Sequence, residues 1–189
     1  MSRNIVLFAK VERYIEIINK FYPDDNDLRR LLLRHSRDVA DYALAVCDRH
    51  KELDLDREFV ETGAMLHDIG IFKTDAPGIY CHGTDPYILH GYDGAQLMRA
   101  EGLPEVARVC ERHTGAGITL KQIEEQQLPL PHHDFLPETM EEKLICYADK
   151  FFSKAHPDRV RTVEQAAASL ARHGDDGVAR FMEWARLFA

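Results

Sequence analysis

Residues 63–70 read Gly-Ala-Met-Leu-His-Asp-Ile-Gly, and this stretch decides how the chain is read. It closes an apolar-periodic segment over 57–69, with Gly70 placed where a helix commonly ends in a glycine cap. Adjacent residues on a helix point roughly 100° apart. His67 and Asp68 therefore serve one site only where the helix stops and they reach it from both sides. Taken alone, the pair has an ordinary explanation: Asp68 caps the following turn and His67 packs.

Four other residues change that balance. A helix opening after the Asp24-Asp25-Asn26-Asp27 cluster carries the stripe Leu28, Leu32, His35, Val39, Tyr42, Val46, spaced alternately four and three, so His35 lies on an apolar face. His90 starts a helix near 88–101, with Gly91 and Gly94 behind it; the glycine at i+4 leaves room for another backbone or a ligand. His113 ends a helix over 104–114 whose stripe is Val106, Val109, Cys110. Asp149 lies between Ile145 and Phe152 in a helix over 138–154, and the neighbouring Lys150 is expected to point elsewhere. Each has an ordinary reading: a core histidine, tight helix packing, a histidine at a helix C-terminus for dipole reasons. A carboxylate on a buried face is the hardest to explain so, because Asp is almost never buried unpaired. Four His and two Asp would fill most of the coordination sphere of two neighbouring metal ions, which would satisfy all six together.

The rest of the chain frames this set. Its 189 residues read as a single domain, with a metal-binding core over about 28–155 and C-terminal helices over 159–188. A first helix is expected over 5–21, a short one around 119–127, and the last two near 159–172 and 175–188. No segment shows convincing strand alternation, so the fold class is all-α. Four scattered cysteines without a Cys-x-x-Cys read as reduced thiols. No apolar run reaches membrane-spanning length, and the start lacks a cleavable signal pattern; the expectation is a cytoplasmic protein with no membrane partner. A net charge of −8 argues against binding a nucleic-acid polymer but leaves room for a small phosphorylated substrate, since metals supply local positive charge. Oligomeric state is not legible.

The order His35, His67-Asp68, His90, His113, Asp149, in the contexts HDIG, HGYDGA, ERHTG and ICYADK, resembles the HD-domain superfamily of metal-dependent phosphohydrolases over roughly 28–155. The resemblance implies an HD-domain helical bundle. It also implies a core set of His35, His67, Asp68 and Asp149, and a second metal held through His90 and His113. It favours two divalent or mixed-valence ions, iron or manganese, bridged by Asp68. The implied reaction is attack of metal-activated water on a phosphate ester or anhydride of a nucleotide or other small substrate. Small stand-alone members, including symmetrical diadenosine tetraphosphate hydrolases, are similar in the HG-x-x-GA and HTxG contexts, although the stretch 115–140 looks longer here. The absence of a Gly-Tyr-Pro and of any Glu-Asp dipeptide departs from the cyclic-dinucleotide and guanosine-tetraphosphate branches.

Asp68 and Lys73 are the catalytic candidates, Lys73 to hold a phosphate oxygen; its alternative is a solvated loop lysine. Lys150 and Lys154 are weaker candidates. His82, His132 and His133 read as surface residues, one of which could line an entrance. Loops 74–87 and 116–137 are the expected lids. Two other readings use the same residues: a di-iron oxygenase of the same fold, and a non-catalytic HD signalling module. The intact ligand set counts against the module.

Overall fold

The computed structural model describes residues 13–189. Helix α1 covers 13–21 of the expected 5–21; residues 5–12 lie outside the described residues. Helix α2 (Asp27–Arg49) starts where the acidic cluster predicts, because the Asn26 side chain accepts the Arg29 amide at 2.9 Å. Its buried face holds Leu32, His35, Val39 and Val46, with Leu28 and Tyr42 half-buried at the margin. Helix α3 (Arg57–Leu66) is capped by the Asp56 carboxylate, which accepts the amides of Glu58 and Phe59.

Helix α3 ends three residues before the expected boundary. After Leu66 the chain tightens into single turns, with Ile69 N–H donating to Leu66 O and Ile71 N–H to Asp68 O. This early break allows both His67 and Asp68 to face the interior, which neighbours on a continued helix could not do. Gly70 is not a left-handed cap, since its φ is −87°. Its role is close approach: a Cβ built there would lie 2.3 Å from His90 O and 2.4 Å from Gly94 N. The glycine at position 94 works from the other side, as its i+4 spacing from His90 suggests.

Helices α4 (His90–Ala100) and α5 (Pro104–Arg112) form a hairpin that turns at Gly102, where φ is +72°. Between α3 and α4 lies a two-residue antiparallel ladder, Asp75–Ala76 with Cys81–His82, too short to show as alternation. Helix α6 (Leu120–Glu125), α7 (Met140–Asp149) and α8 (Val163–Leu170) each begin with a capping box, Thr119/Gln122, Thr139/Glu142 and Thr162/Gln165. Helix α9 (Asp175–Phe188) completes the chain. Among the described residues no helix is long and apolar enough to cross a membrane.

Helices α2, α3, α5 and α7 pack around one core, α4 lies on α5, and α9 covers the outer side of α7. The α7–α9 seam is aromatic: the Tyr147 ring lies 5.1 Å from Phe181, 4.9 Å from Phe151 and 5.6 Å from Phe188. Phe181→Ala is expected to cost about 3–5 kcal/mol in chemical denaturation, since it truncates a fully buried ring. Metal content per folded chain should be unchanged, because the seam supports α7 from the face opposite the site.

Candidate metal centre

Helix ends bring five of the six predicted ligands to the sixth, His35. His35 comes from the middle of α2, His67 and Asp68 from the turn after α3, His90 from the first residue of α4, His113 from just past α5, and Asp149 from the last residue of α7. All six are buried, His67 and Asp68 completely. They form two groups. Donor atoms of His35, His67, Asp68 and Asp149 all lie within 4.8 Å of one another, as do those of Asp68, His90 and His113.

Asp68 joins the groups with one oxygen each. Its Oδ2 is 3.2 Å from His35 Nε2 and 3.1 Å from His67 Nε2. Its Oδ1 is 3.3 Å from His113 Nε2 and 3.5 Å from His90 Nε2. Asp149 Oδ1 closes the first group, 3.0 Å from His35 Nε2.

The histidines are oriented by backbone carbonyls three residues back. His67 Nδ1 lies 2.6 Å from Ala64 O, His90 Nδ1 2.7 Å from Tyr87 O, and His113 Nδ1 2.7 Å from Cys110 O. A carbonyl only accepts, so each Nδ1 carries the proton and donates it. In the neutral ring each Nε2 is then a lone pair aimed at the shared space. His90 and His113 set these two nitrogens 3.0 Å apart, and His67 and His35 theirs 3.3 Å apart. The lone pairs of His90 and His113 in that position repel unless a cation lies among them.

Electrostatics supports the same reading. Burial pushes the Asp68 and Asp149 carboxyls up, but neighbouring lysines and histidines outweigh it and hold both well below the usual carboxylate range. Burial, reinforced by His113, pushes His90 down to about 3, and burial pushes His113 down as well. Burial also opposes charge on His67, yet Asp68 and Asp149 raise it to about 9. Two ionised carboxylates thus sit beside the His90 and His113 rings, which burial keeps neutral with Nε2 lone pairs facing Asp68, while the same carboxylates draw onto His67 the positive charge that a bound cation would supply. Asp68 Oδ1 is buried without a hydrogen-bond donor, and Oδ2 has the Lys154 ammonium beside it. This donor set fits a pair of metal ions sharing Asp68, and the nitrogen and oxygen ligands suit several first-row metals.

Two lysines stand closer to the carboxylates than sequence reasoning placed them. Lys150 was expected to point away, but its Nζ is 2.6 Å from Asp149 Oδ2 and donates to His113 O at 3.0 Å. It sits at the C-cap of α7, where the flexible stem folds back on its neighbour instead of following the helix face. Lys154 Nζ is 2.6 Å from Asp68 Oδ2, and this contact raises the lysine's pKa against the opposing effect of burial. The available signal for Lys154 was its place just beyond the Asp149 helix. Lys73 turns instead to Asp93, with Nζ 3.6 Å from Oδ1, on the chain that anchors the 74–85 loop.

A cavity of about 460 Å³ opens onto the centre, lined by His90, His113, Asp149, Lys150, Lys154 and Arg161. Ala76, Gly78, Ile79 and Tyr87 give it one wall, so the 74–87 loop does border the site. A smaller cavity of about 290 Å³ reaches His35 from the other side of Lys154. The segment 116–137 borders neither, and His82, His132 and His133 are exposed away from both linings.

The curated relatives include a tRNA (cytidine(56)-2'-O)-methyltransferase of Picrophilus torridus, 37% identical over 136 residues that make up 71% of this chain and 34% of that protein. Another is the uncharacterized protein MJ0778 of Methanocaldococcus jannaschii, 40% identical over 121 residues, 62% of this chain and 64% of that one. The matches thus span about one third to two thirds of the relatives' own length. Among solved structures, the HD domain of the L. monocytogenes phosphodiesterase PgpH aligns with a TM-score of 0.49 and 19% identity, covering 85% of this chain and 86% of that one. The sequence model of the HD domain matches residues 32–153, a span that includes all six clustered side chains, and the chain belongs to the HD domain family.

Proposed function

We propose that this protein is a metal-dependent phosphohydrolase acting on a phosphate ester or anhydride of a nucleotide or other small phosphorylated substrate. The observation that carries the proposal is one cavity holding both metal-ligand side chains and three cationic ones, Lys150, Lys154 and Arg161, in a chain of net charge −8. Such a concentration of positive charge beside two carboxylates suits an anionic group held against the metal ligands.

His35, His67 and Asp149 would hold one ion, His90 and His113 the other, with Asp68 shared. Such a pair, most readily iron or manganese, supplies Lewis-acid polarisation of the phosphoryl group and lowers the pKa of water from near 16 to about 7. The chain's own residues do the rest. Lys154 reaches over Asp68 into the cavity and is placed to take a phosphoryl oxygen. Arg161 is held to the cavity wall by its hydrogen bond to Lys150 O at 3.2 Å. Ile79 and Phe152 form the apolar part of the wall and exclude water.

The test is a phosphate-release screen of manganese- or iron-loaded protein over nucleotides and dinucleoside polyphosphates, with and without dioxygen. Release that is independent of dioxygen is the expected result. Dioxygen consumption without phosphate release would establish the oxygenase reading instead. Within the same screen, Lys154→Met is expected to keep both metal ions yet lower turnover about 100-fold, the scale of losing one charged donor to the transition state. An unchanged rate would remove Lys154 from phosphate binding.

A further inference from the structure

Another cavity, of about 350 Å³, adjoins the metal centre, and it is not needed by anything described so far. It shares Thr114 and Gly115 with the cavity over the metal ligands, so it begins one residue after His113. Two residues of chain bridge roughly 7 Å at most. Its volume lies within the roughly 300–1,000 Å³ of small-molecule sites.

The lining is apolar on its faces and polar at its rim. Ile88, Ile118, Leu128 and Leu170 supply the faces. Thr114 and Gln126 offer a hydroxyl and an amide that make no hydrogen bond among the described residues, whereas Gln122 is committed to His173 O at 3.2 Å. The remaining wall is made of Gly115, Gly117, Gly174 and Gly177 with Ala116 and His173. Gly115 has φ +62° and a Cβ there would meet nothing within 4 Å.

Gly177 is the informative residue. It is the third residue of α9, in the first turn, where glycine gives the helix no advantage over a residue with a side chain. It has no positive φ, and a Cβ there would meet only Ala116 Cβ, at 3.9 Å. Neither conformation nor packing within the protein calls for a glycine. What its missing side chain does is keep the cavity open. Leu170, Gly174 and Gly177 also lie beyond residues 32–153, so this wall is added by the C-terminal helices and not by the HD domain core.

We propose that this cavity seats a planar heterocyclic base, the non-reacting part of the substrate, with its phosphate directed past Thr114–Gly115 to the metal ligands. The proposal rests on the phosphohydrolase reading for its orientation, but base binding can be tested without turnover. Calorimetric titration of the metal-loaded full chain with adenosine, guanosine, cytidine and uridine, with ribose as the base-free control, should show binding of at least one nucleoside and none of ribose. Gly177→Leu fills the cavity while improving the helix, and should weaken that binding about tenfold or more, a loss of 1.4 kcal/mol or greater. Gln126→Ala, at the exposed rim, should weaken it several-fold and change which base is preferred. No nucleoside binding beyond ribose, or equal binding by wild type and Gly177→Leu, would overturn the assignment. Nucleoside binding without phosphate release from any nucleotide would leave the pocket standing and remove the hydrolase reading.

Discussion

Asp68→Ala is expected to release both metal ions and to lower phosphate release by at least about 10³-fold, since one substitution removes a ligand from each group and with it the activated water. Metal analysis should fall from about two ions per chain towards none, because each remaining set loses its only shared anion. The size of the effect follows from geometry: Oδ2 serves the His35/His67 side and Oδ1 the His90/His113 side, and among the described residues no other carboxylate joins the second group. The substitution also strands Lys154, whose ammonium is buried against Asp68, at a cost of about 3–5 kcal/mol for an uncompensated buried charge. Asp68→Asn separates the two consequences, since it keeps the shape and a carbonyl oxygen while removing the charge. A folded Asp68→Asn protein that retains two ions would remove Asp68 from its bridging role.

Gly70→Ala should be among the most damaging conservative changes to the metal centre, because the backbone it displaces carries His90. The added Cβ would lie 2.3 Å from His90 O, 2.4 Å from Gly94 N and 2.9 Å from Gly94 Cα. All three are backbone atoms, so no side chain can swing aside and α4 itself must move. Overpacking of this kind is expected to cost at least about 3 kcal/mol in chemical denaturation. It would also carry His90 away from His113, so metal content should fall even in the molecules that remain folded. Gly78→Ala is the control: a Cβ there meets nothing within 4 Å, and its stability should stay within about 0.5 kcal/mol of wild type. Equal stability of the two variants would mean that the α3–α4 approach is looser than described.

Much of this was legible in the chain itself. Alternating three and four spacing placed His35 on a buried stripe, and the acidic cluster before Leu28 marked the start of α2, which Asn26 caps. The six donors are short side chains tied closely to the backbone, so helix position largely determines where they point. The lysines behaved differently. A four-carbon stem reaches in many directions, and periodicity could not say that Lys150 folds back on Asp149, that Lys154 reaches Asp68, or that Lys73 turns to Asp93. The early end of α3 was hidden for another reason. Gly70 reads locally as a cap, whereas its real constraint is the backbone of α4, twenty residues away in sequence. The segment 116–137 looked like a lid because it is long and rich in proline, but its own small core around Ile118, Ile123, Leu130 and Phe135 holds it beside the neighbouring cavity.

The central claim is that the six side chains hold two cations around one carboxylate. A crystal structure of the manganese-loaded protein, with an anomalous difference map recorded at the metal edge, tests it directly. The account predicts two peaks about 3.5–4 Å apart, the spacing of paired-metal sites, both in contact with Asp68, one beside His35, His67 and Asp149 and the other beside His90 and His113. A single peak, or two peaks of which either fails to touch Asp68, would contradict it.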